Sequence, residues 1–159
     1  MIEILKILEK DARADPKEIA TMIGKPESKV VKAITDMEKK GIIIGYKTII
    51  NWERAGAEDI YALIDIKVNL DREKGYDAIA ERISRFPDVL SVRLVSGNYD
   101  LSVVLKGKTM KEVAYFVAEK ISTLEEVRDT VTHFSFKLYK ENGVILYETE
   151  KNRRLAITP

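Results

Sequence analysis

The chain has 159 residues, of which 45% are apolar and 33% are charged, and its formal net charge is +1. A chain of this length suits one or two small domains with a buried core, and its near-neutral charge neither favours nor excludes nucleic acid. Cysteine is absent and His133 is the only histidine. This composition argues against disulfides and against thiolate or histidine metal sites, so neither a metal nor a cofactor is expected.

The N-terminus and the charged residues carry two further expectations. The first ten residues are too few and too charged for a signal peptide or a membrane span, so we expect a cytoplasmic location. Glutamine is absent, and most of the charge comes from lysine, glutamate, aspartate and arginine. Enrichment in lysine and glutamate with few thermolabile residues is typical of thermophiles, and we expect a thermophilic source.

Residues 1–50 predict a helix followed by a helix-turn-helix. The first helix is expected from Ile2 to about Asp11. Asp15 and Pro16 are the residue types that begin a helix, and Gly24 is the type that ends one in the left-handed conformation. The next helix then has apolar residues at i, i+3, i+4 and i+7, which predicts one buried stripe. The stripe consists of Val30, Ala33, Ile34 and Met37.

The opposite side of that second helix is small, polar and basic. A short helix crossing a longer one with such an outer face is the layout of a DNA-reading helix-turn-helix. Residues 1–50 hold ten lysines and arginines against eight aspartates and glutamates, a balance of only +2, so this interpretation depends on the pattern. Solvated helix lysines are the alternative explanation. The expected DNA-binding residues are Ser28, Lys29, Val31, Lys32, Thr35 and Lys47.

Two segments then separate this head from the rest of the chain. Residues 42–46 form a β-branched run that ends in Gly-Tyr, which predicts a short strand resembling the wing of a winged helix-turn-helix. Residues 51–59 lose all periodicity and contain Ala-Gly-Ala, which predicts a linker. We therefore expect a DNA-binding domain over 1–50, a linker over 51–59 and a second domain over 60–159.

The pattern of the second domain predicts the order βαββαβ. Strands are expected over 60–70, 89–95, 99–106 and 131–140, with Phe134, Phe136 and Leu138 on one side of the last. Helices are expected after Asp71 and after Thr109. Asn142-Gly143 predicts a final hairpin that places Tyr139 opposite Leu146 and Lys137 opposite Glu148.

Both crossover helices of such a sheet cover one face only. The other face keeps Tyr61, Leu63 and Val104, which are too apolar to lie comfortably in water. A second copy of the sheet is the simplest cover, and we expect a face-to-face homodimer. A solvated face with scattered apolar residues remains the alternative.

Two stretches carry a resemblance to a known family. The first runs from the second helix of the helix-turn-helix into the segment after it, and the second is the turn between the middle strands of the sheet. They contain Val30, Ile34, Met37, Glu38, Gly41, Ile42, Gly45 and Tyr46, and then Ser96, Gly97, Asn98, Tyr99 and Asp100. With this order of elements, the chain resembles the Lrp/AsnC (feast/famine) family of archaeal and bacterial transcription regulators over nearly its whole length.

The resemblance implies an α+β fold, with an N-terminal winged helix-turn-helix and a C-terminal ferredoxin-like βαββαβ domain that binds a small effector. It implies a sequence-specific DNA-binding transcriptional regulator whose partners are double-stranded DNA, an amino-acid effector and further copies of the chain, in homodimers or homo-octamers. Together with the composition, it favours an archaeal source.

By the same resemblance, the effector site lies where two dimers meet. A turn containing glycine beside an aspartate offers N–H donors to the carboxylate of an amino acid and an anion to its ammonium group. Asp100 begins an inner strand without an evident structural reason, which favours contact with a ligand or a neighbouring subunit. Gly97 is explained first by the hairpin turn and second by close approach of an effector. The expected effector-binding residues are Gly97, Asn98, Tyr99, Asp100, Met110, Thr132 and Phe134.

Several positions depart from the family's pattern and keep two alternatives open. Ala33 stands where members commonly have arginine, Lys25 stands where they have a capping serine, and Asp36 repels phosphate. A co-regulator that does not read DNA is therefore one alternative. The other is a tetrapyrrole (sirohaem-type) decarboxylase on the same scaffold, for which a single histidine is thin support. No catalytic constellation is evident in the sequence, and we expect no enzymatic activity.

Overall fold

The structure, a computed structural model, describes residues 1–69 and 75–147. The chain divides into two compact units, Met1–Ile50 and Asn51–Pro159. Within the described ranges, no helix combines the length and the apolar character needed to cross a membrane.

The first unit is a three-helix head. In chain order its helices are α1 (Ile2–Lys10), α2 (Pro16–Ile23) and α3 (Glu27–Lys39). Asp15 caps α2 by accepting a hydrogen bond from the Lys17 amide at 2.8 Å. Gly24 ends α2 in the left-handed conformation, at φ 64°. Both ends of α2 are therefore set by the local residue types, as predicted.

The core of the head collects the apolar side of each helix. Val30 and Met37 of α3 are buried, and Ala33 and Ile34 pack beside them, so the predicted stripe is confirmed. Full burial of one such large side chain contributes about 1.5–3 kcal/mol. The buried residues of this core are Ile4, Ile19, Ala20, Val30 and Met37.

The strand predicted over 42–46 is wrong: the described chain forms no strand between residues 40 and 59. Gly41 turns the backbone with φ 65°, and the amides of Ile42 and Ile43 both donate to the Met37 carbonyl, at 2.9 and 3.2 Å. These bonds hold the chain against the end of α3. Ile43 packs on the head core, whereas Ile44 is 94% exposed. A β-branched run makes a strand only where a partner strand pairs with it, and none lies beside this one among the described residues of the head.

The segment predicted as a linker, 51–59, groups with the second unit and is folded. The Ala55 amide donates to the Asn51 carbonyl at 3.1 Å and the Ala57 amide to the Trp52 carbonyl at 3.0 Å, so the backbone forms hydrogen-bonded turns. The Asn51 side-chain amide donates to the Leu146 carbonyl at 2.7 Å. Backbone turns and side-chain contacts thus tie this segment to the sheet domain.

The second unit has the predicted order βαββαβ followed by a hairpin. Its elements are β1 (Ile60–Val68), α4 (Tyr76–Ser84), β2 (Val89–Leu94), β3 (Leu101–Gly107), α5 (Met110–Phe116) with a π-helical extension (Val117–Ile121), β4 (Val127–Ser135), β5 (Lys140–Glu141) and β6 (Val144–Ile145). The four long strands pair antiparallel in the order β2-β3-β1-β4. The predicted Leu70 and the predicted helix cap Asp71 lie outside the described residues.

The alternation along β1 divides the sheet into two faces. The inner face, formed in β1 by Ala62, Ile64, Ile66 and Val68, is buried against α4 and α5. The outer face carries Leu63 opposite Val104 of β3, and Tyr61 opposite Lys106. Leu63 remains exposed in the single chain. The division predicted from the two-residue period is therefore confirmed.

The predicted bounds of β4 are wrong by about four residues. The strand covers Val127–Ser135 rather than 131–140. Its last pair with β1 joins Ser135 to Tyr61, one residue from the start of β1, so pairing ends there. Phe134 packs on the core, whereas Phe136, predicted on the same side of the strand, lies beyond its end and is 88% exposed. The partner strand, rather than the apolar pattern, decides where β4 ends.

The final hairpin forms as predicted. Asn142 and Gly143 both have positive φ, 43° and 85°, as a two-residue type I′ turn requires. The Leu146 amide donates to the Tyr139 carbonyl at 3.0 Å, which confirms that these two residues face each other. Glu148, predicted to face Lys137, lies outside the described residues.

We predict that Gly107→Ala destabilises the sheet domain. An alanine Cβ at this position would lie 2.7 Å from Cγ2 of the buried Val113. Forcing a methyl group into such a site costs about 1–3 kcal/mol. Urea unfolding followed by the fluorescence of Trp52, the only tryptophan, measures the loss.

Gly75→Ala is the matched control in the same unit, because a Cβ there meets no atom within 4 Å and its φ is −68°. Alanine caps the helix less well than glycine, which lowers stability. It also restricts the unfolded chain, which raises stability, so the two effects oppose each other. An unfolding midpoint of Gly107→Ala equal to that of wild type would show that Val113 moves aside without cost.

Candidate functional site

The outer face of α3 presents the predicted DNA-binding residues. Because Val30 and Met37 are held in the core, the residues on the other side of the helix must point away from it. Lys47, beyond the helix, is also exposed. On α3 itself, Ser28, Lys29, Val31 and Lys32 are exposed and Thr35 is half-buried.

Charge on α3 is mixed rather than basic. Three lysines are balanced by Glu27, Asp36 and Glu38. Glu27 lies at the positive, N-terminal end of the helix dipole and Lys39 at its negative, C-terminal end, so both charges interact favourably with the dipole. Asp36 lies one turn after Lys32 and two turns after Lys29, on the same side of the helix. The outer face therefore presents individual hydrogen-bond donors, but its net positive electrostatic potential is weak.

The segment after α3 is held to the helix by a side-chain hydrogen bond. The Tyr46 hydroxyl donates to Oε1 of Glu38 at 2.9 Å. Partial burial, followed by the hydrogen bond to the Glu38 carboxylate, raises the pKa of Tyr46 above its ordinary value. The sequence pattern contained both residues but gave no sign that they touch.

The turn between β2 and β3 covers residues 95–100. The Val95 amide donates to the Asp100 carbonyl at 2.9 Å and closes the turn. Gly97 has φ 127°, a conformation that side chains rarely adopt, and a Cβ there would meet no atom within 4 Å. Asn98 is exposed and Tyr99 half-buried. The backbone conformation requires glycine at this position, and open space surrounds it.

Asp100 has a structural role that the sequence pattern did not reveal, and the expectation that it lacks one is wrong. Its Oδ2 accepts from the Val68 amide at 2.9 Å, and its Oδ1 lies 3.4 Å from both Lys67 Nζ and the Tyr76 hydroxyl. The Asp100 amide donates to the Ile66 carbonyl at 3.0 Å. The hydrogen bond from Val68, with the Lys67 ammonium, holds the pKa of this carboxyl below its ordinary value. Only 15% of the side chain is exposed.

The seven predicted effector residues do not meet in one chain. The turn lies at one end of β3 and Met110 follows its other end, so the seven residues of β3, roughly 20 Å, separate them. Thr132 pairs with Ile64 and Phe134 with Ala62, which places both on the inner face. A site that uses all seven residues therefore needs more than one copy of the chain.

Two shallow cavities of the sheet domain are lined by residues other than these seven, although the second adjoins Met110 through Thr109 and Lys111. One of about 410 Å³ lies between α4 and β2, lined by Ala80, Ser84, Arg85 and Leu94 among others. One of about 470 Å³ lies beside α5 and the end of β3, lined by Leu105, Thr109 and Phe116 among others. Neither lining includes any of the seven predicted effector residues.

Asp59 anchors the folded segment before β1. Its two carboxylate oxygens lie 2.6 Å from the ammonium groups of Lys106 and Lys108. Hydrogen bonds from these two lysines lower the pKa of Asp59, and the bond to Asp59 raises the pKa of Lys106. The Lys106 ammonium also lies 5.2 Å from the centre of the Trp52 ring. Nothing in the sequence near Asp59 signals partners almost fifty residues away.

Family models match both units. A model described as winged helix-turn-helix DNA-binding matches residues 1–44, and a model described as the Lrp/AsnC ligand binding domain matches residues 61–145. YugG of Bacillus subtilis, described as an uncharacterized HTH-type transcriptional regulator, is 45% identical over 158 residues, which are 99% of this chain and 95% of that protein. LrpA of Pyrococcus abyssi is 35% identical over 125 residues, 78% of this chain and 85% of LrpA.

Solved structures share the fold. A feast or famine regulatory protein from M. tuberculosis, complexed with L-methionine, superposes with a TM-score of 0.72 at 23% identity, over 92% of this chain and 96% of that one. A transcriptional regulator from Neisseria meningitidis in an L-Met complex has a TM-score of 0.70 at 19% identity, over 95% of both chains.

We predict that Asp100→Ala destabilises the sheet domain and that the effect depends on pH. The substitution leaves the Val68 amide without its acceptor, a loss of about 1–3 kcal/mol. Because the folded-state pKa of Asp100 is lowered, the carboxylate stabilises the fold above the unfolded-state pKa of about 3.9, and this contribution disappears as the pH falls through the folded-state value. Urea unfolding of wild type and variant at pH 7 and pH 3 measures both effects.

Asp88→Ala, at an exposed aspartate of the same unit, is the matched control and should change stability little. A gap between Asp100→Ala and wild type that is as wide at pH 3 as at pH 7 would contradict a role for the charged carboxylate.

Proposed function

This chain belongs to the Lrp/AsnC family and is a helix-turn-helix transcriptional regulator, and on that premise we propose how its two units divide the work. The head reads double-stranded DNA through the outer face of α3. The sheet domain joins copies of the chain and binds an amino-acid effector.

The exposed outer face of α3 is the observation that carries the DNA-binding proposal. The buried stripe fixes which side of the helix is available, and that side offers the hydroxyl of Ser28, the methyl groups of Val31 and the hydroxyl of Thr35 to base edges. Lys29 and Lys32 contact phosphates on either side. Lys47 adds a phosphate contact from the segment after the helix.

The balanced charge of α3 favours specific over non-specific binding. Asp36 reduces the attraction of the helix for any phosphate backbone, so affinity depends on correctly placed contacts. This explains the departures from the family's basic pattern without removing DNA binding, and we prefer it to the co-regulator that does not read DNA.

The outer face of the sheet supports a homodimer. Leu63 and Val104 face each other across the two central strands, and Tyr61 lies next to them on the same face. Leu63 and Tyr61 belong to a central strand of the sheet. Burying their apolar surface against a second sheet stabilises the dimer relative to the single chain. On the family resemblance, we extend this proposal to association of the dimers into a homo-octamer.

The turn of residues 95–100 supports an effector site between copies. Asn98 and the open space at Gly97 are accessible, and Asp100 holds the turn in place through Val68. Two solved relatives of the same fold carry L-methionine. Since Met110, Thr132 and Phe134 lie away from the turn in one chain, they complete the site from a neighbouring copy. The effector therefore adds contacts between dimers and shifts the oligomer population.

The relatives also support a regulator rather than an enzyme. The matched proteins are transcriptional regulators, which favours this function over the tetrapyrrole decarboxylase considered from the sequence. We propose that the chain has no enzymatic activity. We also propose that it works in the cytoplasm, where a DNA-binding regulator of this type meets its operator.

We predict that the double variant Lys29→Ala/Lys32→Ala weakens DNA binding and flattens its salt dependence. A duplex selected from a random library by the wild-type protein serves as the probe. Each lost phosphate contact should reduce the slope of log K against log salt by about 0.9. Selected duplexes should contain two half-sites separated by about 10 base pairs or a multiple of this, as a dimer requires. Fluorescence anisotropy from 50 to 300 mM salt measures affinity and slope.

Lys111→Ala/Lys120→Ala, which removes two exposed lysines of the sheet domain, is the matched control for net charge. It should leave the slope near that of wild type. If the two double variants lose the same affinity and slope, bulk charge rather than α3 accounts for binding.

We also predict that at least one amino acid raises the melting temperature and changes the sedimentation coefficient of the wild-type protein. Asn98→Ala should remove both responses while keeping the melting temperature of the free protein, because this side chain is exposed. The control Asn69→Ala, at another exposed asparagine, should respond as wild type does. A screen of all twenty amino acids with neither response would reject the effector proposal.

A further inference from the structure

The hydrogen bond between Tyr46 and Glu38 closes a hook at the end of α3. Gly41 reverses the chain with φ 65°, and Ile43 is anchored in the head core. The chain then passes through the exposed Ile44, and the Tyr46 hydroxyl returns to Glu38 at 2.9 Å. The turn at Gly41, the packing of Ile43 and the hydrogen bond of Tyr46 thus bring the segment back to the helix that it has just left.

Glu38 lies on the border between the buried stripe and the outer face of α3. At about 100° per residue, it follows Thr35 by nearly one turn and Val31 by two turns along the same flank. Tyr46 therefore lies on the Val31–Thr35 side of the helix. The opposite flank carries Lys29 and Asp36. The hook ends beside residues proposed to face the bases, at the C-terminal end of α3.

Burial holds this part of the hook only weakly. Ile44 is 94% exposed and Tyr46 is 51% exposed, so the segment beyond Ile43 has little apolar contact with the core. The hydrogen bond of the Tyr46 hydroxyl to Glu38 is a contact that ties this part of the segment to α3. The next residue is Lys47, which is exposed.

We propose that Glu38 and Tyr46 are positioning residues for DNA binding: their hydrogen bond holds Lys47 beside the outer face of α3, so that Lys47 and the helix contact the phosphate backbone together. This inference rests on the proposed function of α3. It assigns a role to an acidic residue at the edge of a DNA-binding surface, where a carboxylate without a donor would only repel phosphate. A side chain that is already held in place before binding loses less conformational entropy when the complex forms.

The test combines Tyr46→Phe, Lys47→Ala and the double variant in salt titrations of the selected duplex. Lys47→Ala should lower the salt slope by about 0.9 and weaken binding several-fold. Tyr46→Phe, which removes only the hydroxyl, should produce much of the same loss although the charge of Lys47 remains. In the Tyr46→Phe background, Lys47→Ala should then have little further effect.

Two controls separate positioning from general damage. Tyr115→Phe removes the hydroxyl of a tyrosine with matched exposure, 54% against 51%, and should bind as wild type does. Glu38→Gln keeps an oxygen that accepts from Tyr46, whereas Glu38→Ala does not. Glu38→Gln should bind at least as tightly as wild type and Glu38→Ala should match Tyr46→Phe. Circular dichroism should show the same helix content for all variants.

The outcomes are distinct. Additive losses of Tyr46→Phe and Lys47→Ala, or equal binding by Glu38→Ala and Glu38→Gln, would overturn the positioning role while leaving α3 as the DNA-binding helix. A wild-type protein that selects no duplex and binds none would overturn the proposed function together with this inference.

Discussion

The pairing of β1 with both β3 and β4 is the constraint on which the sheet domain depends. Because side chains alternate along a strand, this one central strand decides that Ile64 and Ile66 enter the core while Leu63 faces out. The same register places the 95–100 turn at one end of the sheet and Met110 at the other. The proposed dimer through the outer face and the proposed effector site between copies both use this single arrangement.

Asp100 shows how the scaffold limits what the turn can recognise. Its carboxylate bonds the Val68 amide and approaches Lys67, so it continues the junction of β1 with β3 beyond their last pair. A charge occupied in this way holds the turn rather than meeting a ligand directly. The exposed groups of the turn, Asn98 and the backbone at Gly97, are the ones that we propose for effector recognition. An effector that binds there acts on a turn whose position is already determined by the central strand.

In the head, too, the buried residues determine which surface is exposed. Its buried stripe determines which face of α3 is free, and the hook from Gly41 to Tyr46 limits where the chain goes afterwards. With balanced charge on α3, specificity must come from geometry, because a weak field gives little non-specific attraction. A single hydroxyl–carboxylate contact can therefore matter more here than on a strongly basic helix.

Local patterns determined the order of elements, the buried stripe with Val30 and Met37, and the Asn142-Gly143 hairpin, because period and turn chemistry act within a few residues. They also indicated the outer face of α3, since one side of a helix defines the other. Only the tertiary structure decided that residues 42–46 form no strand, that β4 ends at Ser135, and that Asp100 serves the fold. The physical reason is pairing, because a partner determines where a strand ends and what a buried carboxylate bonds. Those partners lie tens of residues away or, for residues 42–46, are absent from the described residues of the head.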